Sequence, residues 1–422
     1  MIVLSGAALV LPDRVLSPGT LVIDEGRIIE IRPDALSHPP SPFAFHGHYI
    51  VPGFIDVHVH GVDGVDTLDK RDSAAGGAIA ALAEHLPRYG VTAFCPTTVA
   101  CGPAALRGVL DQVRCAREAQ SPRAARVLPA HLESNFINPD YNGAQPKACL
   151  RSPKGASGAG GAGRAGEPGG AGGAGGESEF TANDILHEIE RARPDVGIVT
   201  LAPELDGGLD LIRWLVARGH RVSLGHSGAT YDEALAAIAA GACQATHLFN
   251  RMPPLGHRAP GLAGAVLQAD EVVAEIICDG VHVHPSLVHT AIAAKHPARV
   301  MAITDATAAA GLAVGARAAL GGQPITAGEF TALLPDGTIA GSICTMDRTF
   351  QMLVGVVGVS LVDAAALCAT TAARELGLVG HGVLAPDAVA DLVVLDANFT
   401  VVQTYVAGQL VYSRNTPATA PV

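Results

Sequence analysis

The feature that most constrains the fold is a repeated alternation of short apolar runs with alanine-rich stretches along the middle of the chain. Stretches between the runs, such as AAGGAIAALAEHLPRYG and TYDEALAAIAAG, have helical character. Strands that alternate with helices predict a parallel sheet, and eight such units predict a (β/α)8 barrel. The eight runs are FIDVHVHG (54–61), TAFCPTTV (92–99), VLPAHLES (127–134), GIVTLAPE (197–204), RVSLGHS (221–227), QATHLFN (244–250), VVAEIICDG (272–280) and VMAITDA (300–306).

Both ends of the chain have a different texture, in which short apolar runs alternate with turns. DEGR at residues 24–27 separates two apolar runs and predicts a hairpin turn. Two β-rich ends that flank a long middle indicate one small domain built from both termini. We therefore predict an α/β fold, with a TIM-type (β/α)8 barrel over 51–379 and a small β-sandwich domain from 1–50 and 380–422. The length of 422 residues fits a barrel with an appendage, although it also fits two or three domains of about 150 residues.

One segment interrupts the barrel pattern. Residues 155–176 contain 12 glycines among 22 residues. Such a composition buries too little apolar surface to offset the entropy lost on ordering. The segment is predicted to be a flexible surface loop between the third and fourth strands, tolerated as an insertion without a function of its own.

Composition excludes several classes of partner. The net charge of −12 disfavours nucleic acid and anionic membranes, and 4% aromatic residues argue against base stacking. No apolar run approaches the roughly 18 residues needed to cross a bilayer. The apolar N-terminus lacks a basic segment, so it is interpreted as a strand pair and not as a signal peptide.

The cysteines indicate a reducing compartment. They are scattered, and no two have the CxxC spacing of a redox or metal motif. Reduced core thiols in a cytoplasmic protein are the expectation, and a disulfide framework is not. The eight are Cys95, Cys101, Cys115, Cys149, Cys243, Cys278, Cys344 and Cys368.

The strongest chemical signal is the pair His58 and His60 at the end of the first barrel run. Residues two apart on a strand point to the same side, so the two imidazoles can chelate one divalent ion. Nitrogen ligands of this kind suit zinc or iron.

Other donors stand at the ends of further runs. Glu133, His226 and His247 end or follow the third, fifth and sixth runs, and barrel geometry points all three at the same axis. The fourth run has no lysine that could bridge two ions, so Glu133 is the candidate bridge. Asp305 ends the eighth run, where a carboxylate beside a metal can take a proton from water and return it to a leaving amine.

These residues lie within motifs that resemble the N-acetylglucosamine-6-phosphate deacetylase family of the amidohydrolase superfamily. The most specific feature is one order of motifs, GHS, THLFN, HRAPGLAG, DGVHV and TDA. The matching stretches together cover nearly the whole chain from 52 to 396. They are PGFIDVHVHG (52–61), HLES (131–134), LGHSGATYDEALAAIAAGACQATHLFNRMPPLGHRAPGLAGAVL (224–267), ICDGVHVHP (277–285), ITDATAAAG (303–311), GTIAGSICTMDR (337–348) and VADLVVLD (389–396).

The resemblance implies a role for each matching residue. The metal ligands would be His58, His60, Glu133, His226 and His247. Asp305 would be the general base and then the general acid, and His282 would contact the substrate and polarise its acetyl carbonyl. Arg258 would anchor the phosphate or the sugar. The remaining substrate-binding positions implied are Ala144, Gln145, Asn250, Arg251, Ile339, Ala340 and Gly341.

The chain departs from the family pattern near the phosphate side. Ser134 and Asn135 follow Glu133 where the family has Gly-Pro, Gln145 replaces a histidine, and Arg251 replaces an alanine. The metal and base set is intact, so amide hydrolysis is the predicted reaction. We hypothesise that Arg251 supplies the cation that position 145 lacks.

Several alternatives stay open at this stage. The substrate could be N-acetylgalactosamine-6-phosphate or an unphosphorylated N-acetyl sugar, since one hydroxyl separates the epimers. A cyclic-amide hydrolase is disfavoured because the fourth run lacks lysine, and a non-catalytic barrel because no ligand is lost. The resemblance further implies one or two divalent ions per subunit, zinc or iron, an amino-sugar phosphate as partner, and a homodimer whose neighbour reaches the phosphate site.

Overall fold

The structure, a computed structural model, describes residues 1–33, 44–70, 76–155 and 180–414. The predicted insertion at 155–176 lies outside the described residues except for Gly155. None of the helices in these ranges is long and apolar enough to cross a membrane.

Strands from both termini form one seven-stranded sheet, as the two β-rich ends predict. Its order is β22-β21-β20-β4-β1-β2-β3. The predicted hairpin joins β2 to β3, with Glu25 and Gly26 both at positive φ, as the tightest hairpin turns require. The strands are β1 (Ile2–Val10), β2 (Val15–Asp24), β3 (Arg27–Pro33), β4 (Tyr49–Pro52), β20 (Leu392–Leu395), β21 (Val401–Val406) and β22 (Gln409–Ser413).

The eight predicted runs form eight parallel strands, so the barrel prediction is confirmed. Each strand pairs with the next in chain order. They are β5 (Phe54–Val59), β8 (Val91–Thr98), β10 (Ala130–Glu133), β11 (Val196–Leu201), β12 (Arg221–Leu224), β13 (Gln244–Ala245), β14 (Val273–Ile277) and β15 (Val300–Ile303).

Short backbone contacts close the barrel between its first and last strands. The amide of Asp305 donates to the carbonyl of His58 at 2.9 Å, and the amide of His60 donates to the carbonyl of Ala306 at 2.8 Å. The seam therefore lies just beyond the end of β15 and brings the end of the eighth run beside the His58–His60 pair.

Helices follow the barrel strands. One of them, Tyr231–Ala239, shows a local start signal, because Thr230 and Glu233 cap its first turn reciprocally. The helices are α1 (Gly77–His85), α2 (Pro103–Glu118), α3 (Ala182–Arg191), α4 (Gly208–Val216), α5 (Tyr231–Ala239), α6 (Gly261–Gln268), α7 (Pro285–Lys295), α8 (Met346–Met352), α9 (Leu361–Ala365) and α10 (Thr371–Glu375).

The inner face of the barrel is apolar toward the amino ends of the strands and polar toward their carboxyl ends. Alternate residues point inward, so Ile198 and Thr200 on β11 share the inner face. The apolar part holds alternating residues such as Met301 and Ile303. Hydrogen bonds link side chains within the polar part, such as that between the hydroxyls of Thr200 and Thr246 at 2.7 Å. This layer lies directly beneath the strand ends that carry the predicted ligands.

A small antiparallel sheet follows the last barrel strand, and sequence analysis did not predict it. Its order is β16-β17-β18-β19, and β19 carries the predicted substrate positions 339–341. The remaining strands are short. The bounds are β6 (Gly61–Val62), β7 (Val65–Asp66), β9 (Arg126–Val127), β16 (Arg317–Leu320), β17 (Gln323–Ala327), β18 (Thr331–Leu333) and β19 (Ile339–Ser342).

All eight cysteines lie in the described residues, and the structure pairs none of them in a disulfide. Burial raises the pKa of Cys95 well above its usual range, and the same holds for the pKa of Cys278. Both thiols are therefore protonated and unreactive at neutral pH.

The terminal sheet packs directly on the barrel core. Leu392 and Val394 belong to the core of the terminal sheet, whereas Val393 and Leu395, on the opposite face of β20, belong to the core that surrounds the barrel. Phe54, at the start of β5, is fully buried in this second core, with its ring stacked 5.5 Å from that of Phe350. The terminal sheet and the barrel are thus joined by apolar packing through β20.

Replacing Phe54 by alanine is expected to destabilise the protein strongly. Truncating a buried phenylalanine costs about 3–5 kcal/mol of unfolding free energy, because the cavity does not fully collapse. Phe330 is 62% exposed, so Phe330→Ala is the matched control and should change stability by less than about 0.5 kcal/mol. Urea denaturation of both variants checks this, and equal midpoints would contradict the packing described.

Candidate metal centre and active site

A cavity of about 490 Å³ opens at the carboxyl ends of the barrel strands. In (β/α)8 barrels this face carries the active site. Most of the predicted site residues line it, although they are far apart in sequence. Those in the lining are His60, Glu133, Ala144, Gln145, His226, His247, Asn250, Arg251, His282, Asp305, Ile339 and Gly341.

Glu133, His226 and His247 form the first cluster on the cavity floor. Oε1 of Glu133 lies 2.8 Å from Nε2 of His226 and 2.8 Å from Nε2 of His247. The two imidazole nitrogens are 3.1 Å apart. Three ligand atoms from three strand ends therefore converge on one point, as a metal site requires.

His58, His60 and Asp305 form the second cluster. Oδ1 of Asp305 lies 3.3 Å from Nε2 of each histidine, and the two histidine nitrogens are 3.3 Å apart. Oε2 of Glu133 is 3.4 Å from Nε2 of His60. Glu133 thus directs one oxygen toward each cluster, which is the geometry expected of the candidate bridge.

The carboxylates of these clusters are anionic. Burial raises the pKa of Glu133, but the charge and hydrogen bond of His226 outweigh it and hold the pKa well below its usual range. Burial likewise raises the pKa of Asp305, and the neighbouring His58 and His60 lower it further than burial raises it. Two buried anions next to four imidazoles suit a divalent cation.

A buried glutamate that sequence analysis missed supports the second cluster. Oε2 of Glu275, on β14, accepts a hydrogen bond from Nδ1 of His58 at 3.0 Å. When the ring of His58 is neutral, a hydrogen held on Nδ1 leaves the Nε2 lone pair facing His60 and Asp305. The available signal was a single charged residue inside the otherwise apolar run VVAEIICDG.

His131 stands near this pair but has no free nitrogen. Its Nδ1 donates to the carbonyl of Val57 at 2.9 Å, and its Nε2 accepts from the hydroxyl of Thr200 at 2.8 Å. Burial lowers its pKa to about 4, so the ring is neutral. His131 is therefore part of the barrel packing beneath the site.

A second missed glutamate joins three loops around the first cluster. Glu204, after β11, accepts hydrogen bonds from Asn138 at 2.8 Å, Ser227 at 2.7 Å and the amide of Gly228 at 2.6 Å. His226 lies directly before Ser227, and its Nδ1 donates to the carbonyl of Tyr141 at 2.7 Å. These contacts fix the ring so that Nε2 faces Glu133.

Gln145 contacts the candidate metal ligand Glu133. Its amide nitrogen donates to Oε2 of Glu133, and its carbonyl oxygen accepts from the amide of Ala100 at 2.7 Å. Sequence analysis placed Gln145 among the substrate contacts. Here both ends of its amide group are engaged by the protein.

Two predicted substrate residues do not line this cavity. Arg258 is exposed on the loop before α6, and Ala340 is fully buried, with its side chain on the opposite face of β19 from Ile339 and Gly341. The cationic side chain in the lining is that of Arg251, whose guanidinium has no ion-pair partner among the described residues. A side chain at Gly143 would come within 2.7 Å of its Nε, so this glycine makes room for it.

Several site residues adopt the left-handed backbone conformation, which is rare outside glycine. His226, His247 and Asp305 have φ of 48°, 30° and 50°, and Arg251 has 51°. Each such residue costs about 1–3 kcal/mol, and such residues cluster at functional sites. The strand ends are thus bent to aim these side chains into the cavity.

Comparison with known proteins agrees with this geometry. A sequence model of the Amidohydrolase family matches residues 49–411. The chain is 35% identical over 409 residues to N-acetylglucosamine-6-phosphate deacetylase of Mus musculus, covering 94% of this chain and 90% of that protein. It is 33% identical over 393 residues to N-acetylgalactosamine-6-phosphate deacetylase of Escherichia coli, covering 92% and 94%.

The fold is also that of solved relatives. A variant of N-acetyl-D-glucosamine-6-phosphate deacetylase from Mycobacterium smegmatis, solved in complex with N-acetyl-D-glucosamine-6-phosphate, superposes with a TM-score of 0.81. Its sequence is 31% identical, and the match covers 98% of this chain and 99% of that one. The chain therefore belongs to the amidohydrolase family and, within it, to the N-acetylglucosamine-6-phosphate deacetylases.

Proposed function

We propose that this chain hydrolyses the N-acetyl group of N-acetylglucosamine-6-phosphate to glucosamine-6-phosphate and acetate, in amino-sugar catabolism. The observation that carries the proposal is the pair of His–carboxylate clusters that share Glu133 on the floor of a cavity. The cavity, at about 490 Å³, is within the size range of small-molecule sites. The M. smegmatis relative, which binds this substrate, supports the choice.

We propose that Glu133, His226 and His247 hold one divalent ion, zinc or iron, and that His58 and His60 can hold a second. A set of two histidines and one glutamate is a common catalytic zinc site. The fit rests on the tautomers, because the Nδ1 contacts of His58 and His226 leave their Nε2 lone pairs facing the clusters. A cation bound there supplies Lewis-acid charge and lowers the pKa of water.

Asp305 is the proposed proton carrier. It lines the cavity and is 9% exposed, so it can reach both water and substrate. Its lowered pKa keeps it a carboxylate. It can therefore accept a proton from the water that attacks the acetyl carbon and return that proton to the departing amine. His282 lines the same cavity and is proposed to donate a hydrogen bond to the carbonyl oxygen.

The phosphate needs local cations, because the net charge of −12 repels it. Arg251 is in place within the cavity. We further propose a cytoplasmic homodimer in which Arg258, exposed outside its own cavity, reaches the phosphate bound by the neighbouring subunit. The E. coli relative favours a second candidate substrate, N-acetylgalactosamine-6-phosphate, which differs at one hydroxyl.

Removing Glu133 is expected to abolish metal binding and activity together. Glu133→Ala deletes the only carboxylate of the first cluster and the candidate bridge, so metal per chain and acetate release should both fall to background. Elemental analysis and an acetate assay measure this. Glu190→Ala, which breaks only surface ion pairs with Arg193 and Arg218, is the control. Full metal content in Glu133→Ala would contradict the assignment.

Asp305→Asn is expected to lower kcat by about 10²–10⁴-fold, as for loss of a general acid–base group. Asparagine tolerates the left-handed conformation that this position has, so the fold should persist. Metal content and substrate affinity, measured by calorimetry, should change little. A near-normal rate would mean that Asp305 has only a structural role.

Removing either arginine should weaken binding of the phosphorylated sugar selectively. A charge-assisted hydrogen bond is worth about 1.5–3 kcal/mol, so Arg251→Ala or Arg258→Ala should raise KM by roughly 10–150-fold. KM for unphosphorylated N-acetylglucosamine should hardly change. Equal kcat/KM for the two sugars in the unaltered enzyme would refute the phosphate assignment.

The subunit that supplies Arg258 can be identified with mixed dimers. Arg258→Ala subunits have an intact catalytic centre, whereas Asp305→Asn subunits have an intact Arg258. If Arg258 acts across the interface, each mixed dimer should have one active site with a low KM, that of the Arg258→Ala subunit. If mixing restores nothing, Arg258 serves its own subunit or no substrate.

A further inference from the structure

The loop that follows β14 carries an aspartate–histidine pair beside the cavity. Nδ1 of His282 lies 2.6 Å from Oδ2 of Asp279, a short hydrogen bond between two largely buried side chains. The other ring nitrogen, Nε2, is buried and has no hydrogen-bond partner among the described residues. Since the ring lines the cavity, Nε2 is the atom left for a ligand.

Asp279 is itself held in one orientation. Its Oδ1 accepts hydrogen bonds from the backbone amides of Val281 at 2.9 Å and His282 at 2.8 Å. Oδ2 therefore has a fixed direction toward the ring. Burial raises the pKa of Asp279, but the hydrogen bond and charge of His282 outweigh it and lower the pKa, so the group is an anion.

We propose that Asp279 is a positioning residue that keeps a proton on Nδ1 of His282, so that Nε2 presents a hydrogen-bond donor to the substrate only when the ring is a cation. The inference rests on the proposed deacetylation and adds a residue to it. A neutral ring with its hydrogen on Nδ1 has only a lone pair at Nε2. The protonated ring donates from both nitrogens, and its charge strengthens the bond to a developing oxyanion.

Three charged groups face the ring, and their sum favours the cation. Burial lowers the pKa of His282, whereas the hydrogen bond and charge of Asp279 and the charge of Asp305 raise it by more, and Arg251 partly opposes them. The net direction is upward. The donor therefore persists to higher pH than in an ordinary histidine and is lost as pH rises through this raised pKa, so the rate should fall on the alkaline side.

Asp279→Asn is the sharpest test of this arrangement. The two backbone amides still require an oxygen, so the asparagine must turn its NH2 group toward the ring. Nδ1 then accepts a hydrogen bond, and the hydrogen of the neutral ring moves to Nε2. The donor to the substrate becomes neutral and weaker, but it no longer disappears at high pH.

We expect Asp279→Asn to lower kcat by about 10–100-fold, the usual cost of losing a partner that orients an active-site histidine. KM should change by less than about threefold, and the alkaline limb assigned to His282 should vanish. Asp396→Asn is the matched control, since Asp396 also accepts from two backbone amides and one cationic side chain, but in the terminal sheet. That variant should retain the normal rate and pH profile.

Nitrogen-15 NMR of histidine-labelled protein gives a readout that needs no substrate. His282→Asn identifies the ring signals by difference. In the unaltered protein the neutral ring should carry its hydrogen on Nδ1, and in Asp279→Asn on Nε2. If the unaltered ring already carries it on Nε2, or if Asp279→Asn raises KM and leaves the alkaline limb in place, the proposal is wrong. Failure of the enzyme to release acetate would instead refute the proposed substrate, and the NMR result would still decide the role of Asp279.

Discussion

The closure of the barrel between its first and last strands is the contact on which the rest of the site depends. The hydrogen bond from the amide of Asp305 to the carbonyl of His58 joins two residues far apart in sequence at 2.9 Å. The same contact that completes the sheet therefore sets Asp305, the proposed proton carrier, beside the histidine pair. A shift of one residue at this seam would turn the inward side chains outward, because side chains alternate along a strand. Fold and chemistry are thus specified by the same register.

Closing the barrel buries charged groups, which costs free energy. The polar residues of the inner face beneath the cavity offset part of that cost. Buried ionised groups are tolerated when each has a partner and its remaining donors and acceptors are satisfied. Glu275 faces His58, and Thr200 satisfies His131. These polar residues lie on otherwise apolar strands, close to the two clusters, where they orient the candidate ligands. The inner face farther from the cavity remains apolar.

The sequence predicted most of what lies along strands and little of what joins loops. The eight runs became the eight barrel strands, because period and length are local properties of the chain. The candidate ligands could be predicted because they occupy the ends of these runs. Glu275, Glu204 and Asp279 were missed because their function depends on which atom they meet across the fold. The sheet β16–β19 was missed for another reason. Its strands are short and half exposed, so they lack a clear apolar pattern.

The contact between Gln145 and Glu133 affects which side chains around the cavity are available to the substrate. The resemblance places a substrate contact at this position, yet its amide nitrogen donates to Glu133, its carbonyl oxygen accepts from the backbone of Ala100, and the group carries no charge. Recognition of an anionic group must then come from another side chain. Arg251 lies beside Gly143, has no ion-pair partner in the part of the chain that the structure describes, and is the arginine within the lining. The two departures from the family pattern are complementary in this sense: a neutral residue contacts the candidate metal ligand Glu133, and a cationic residue lines the same cavity.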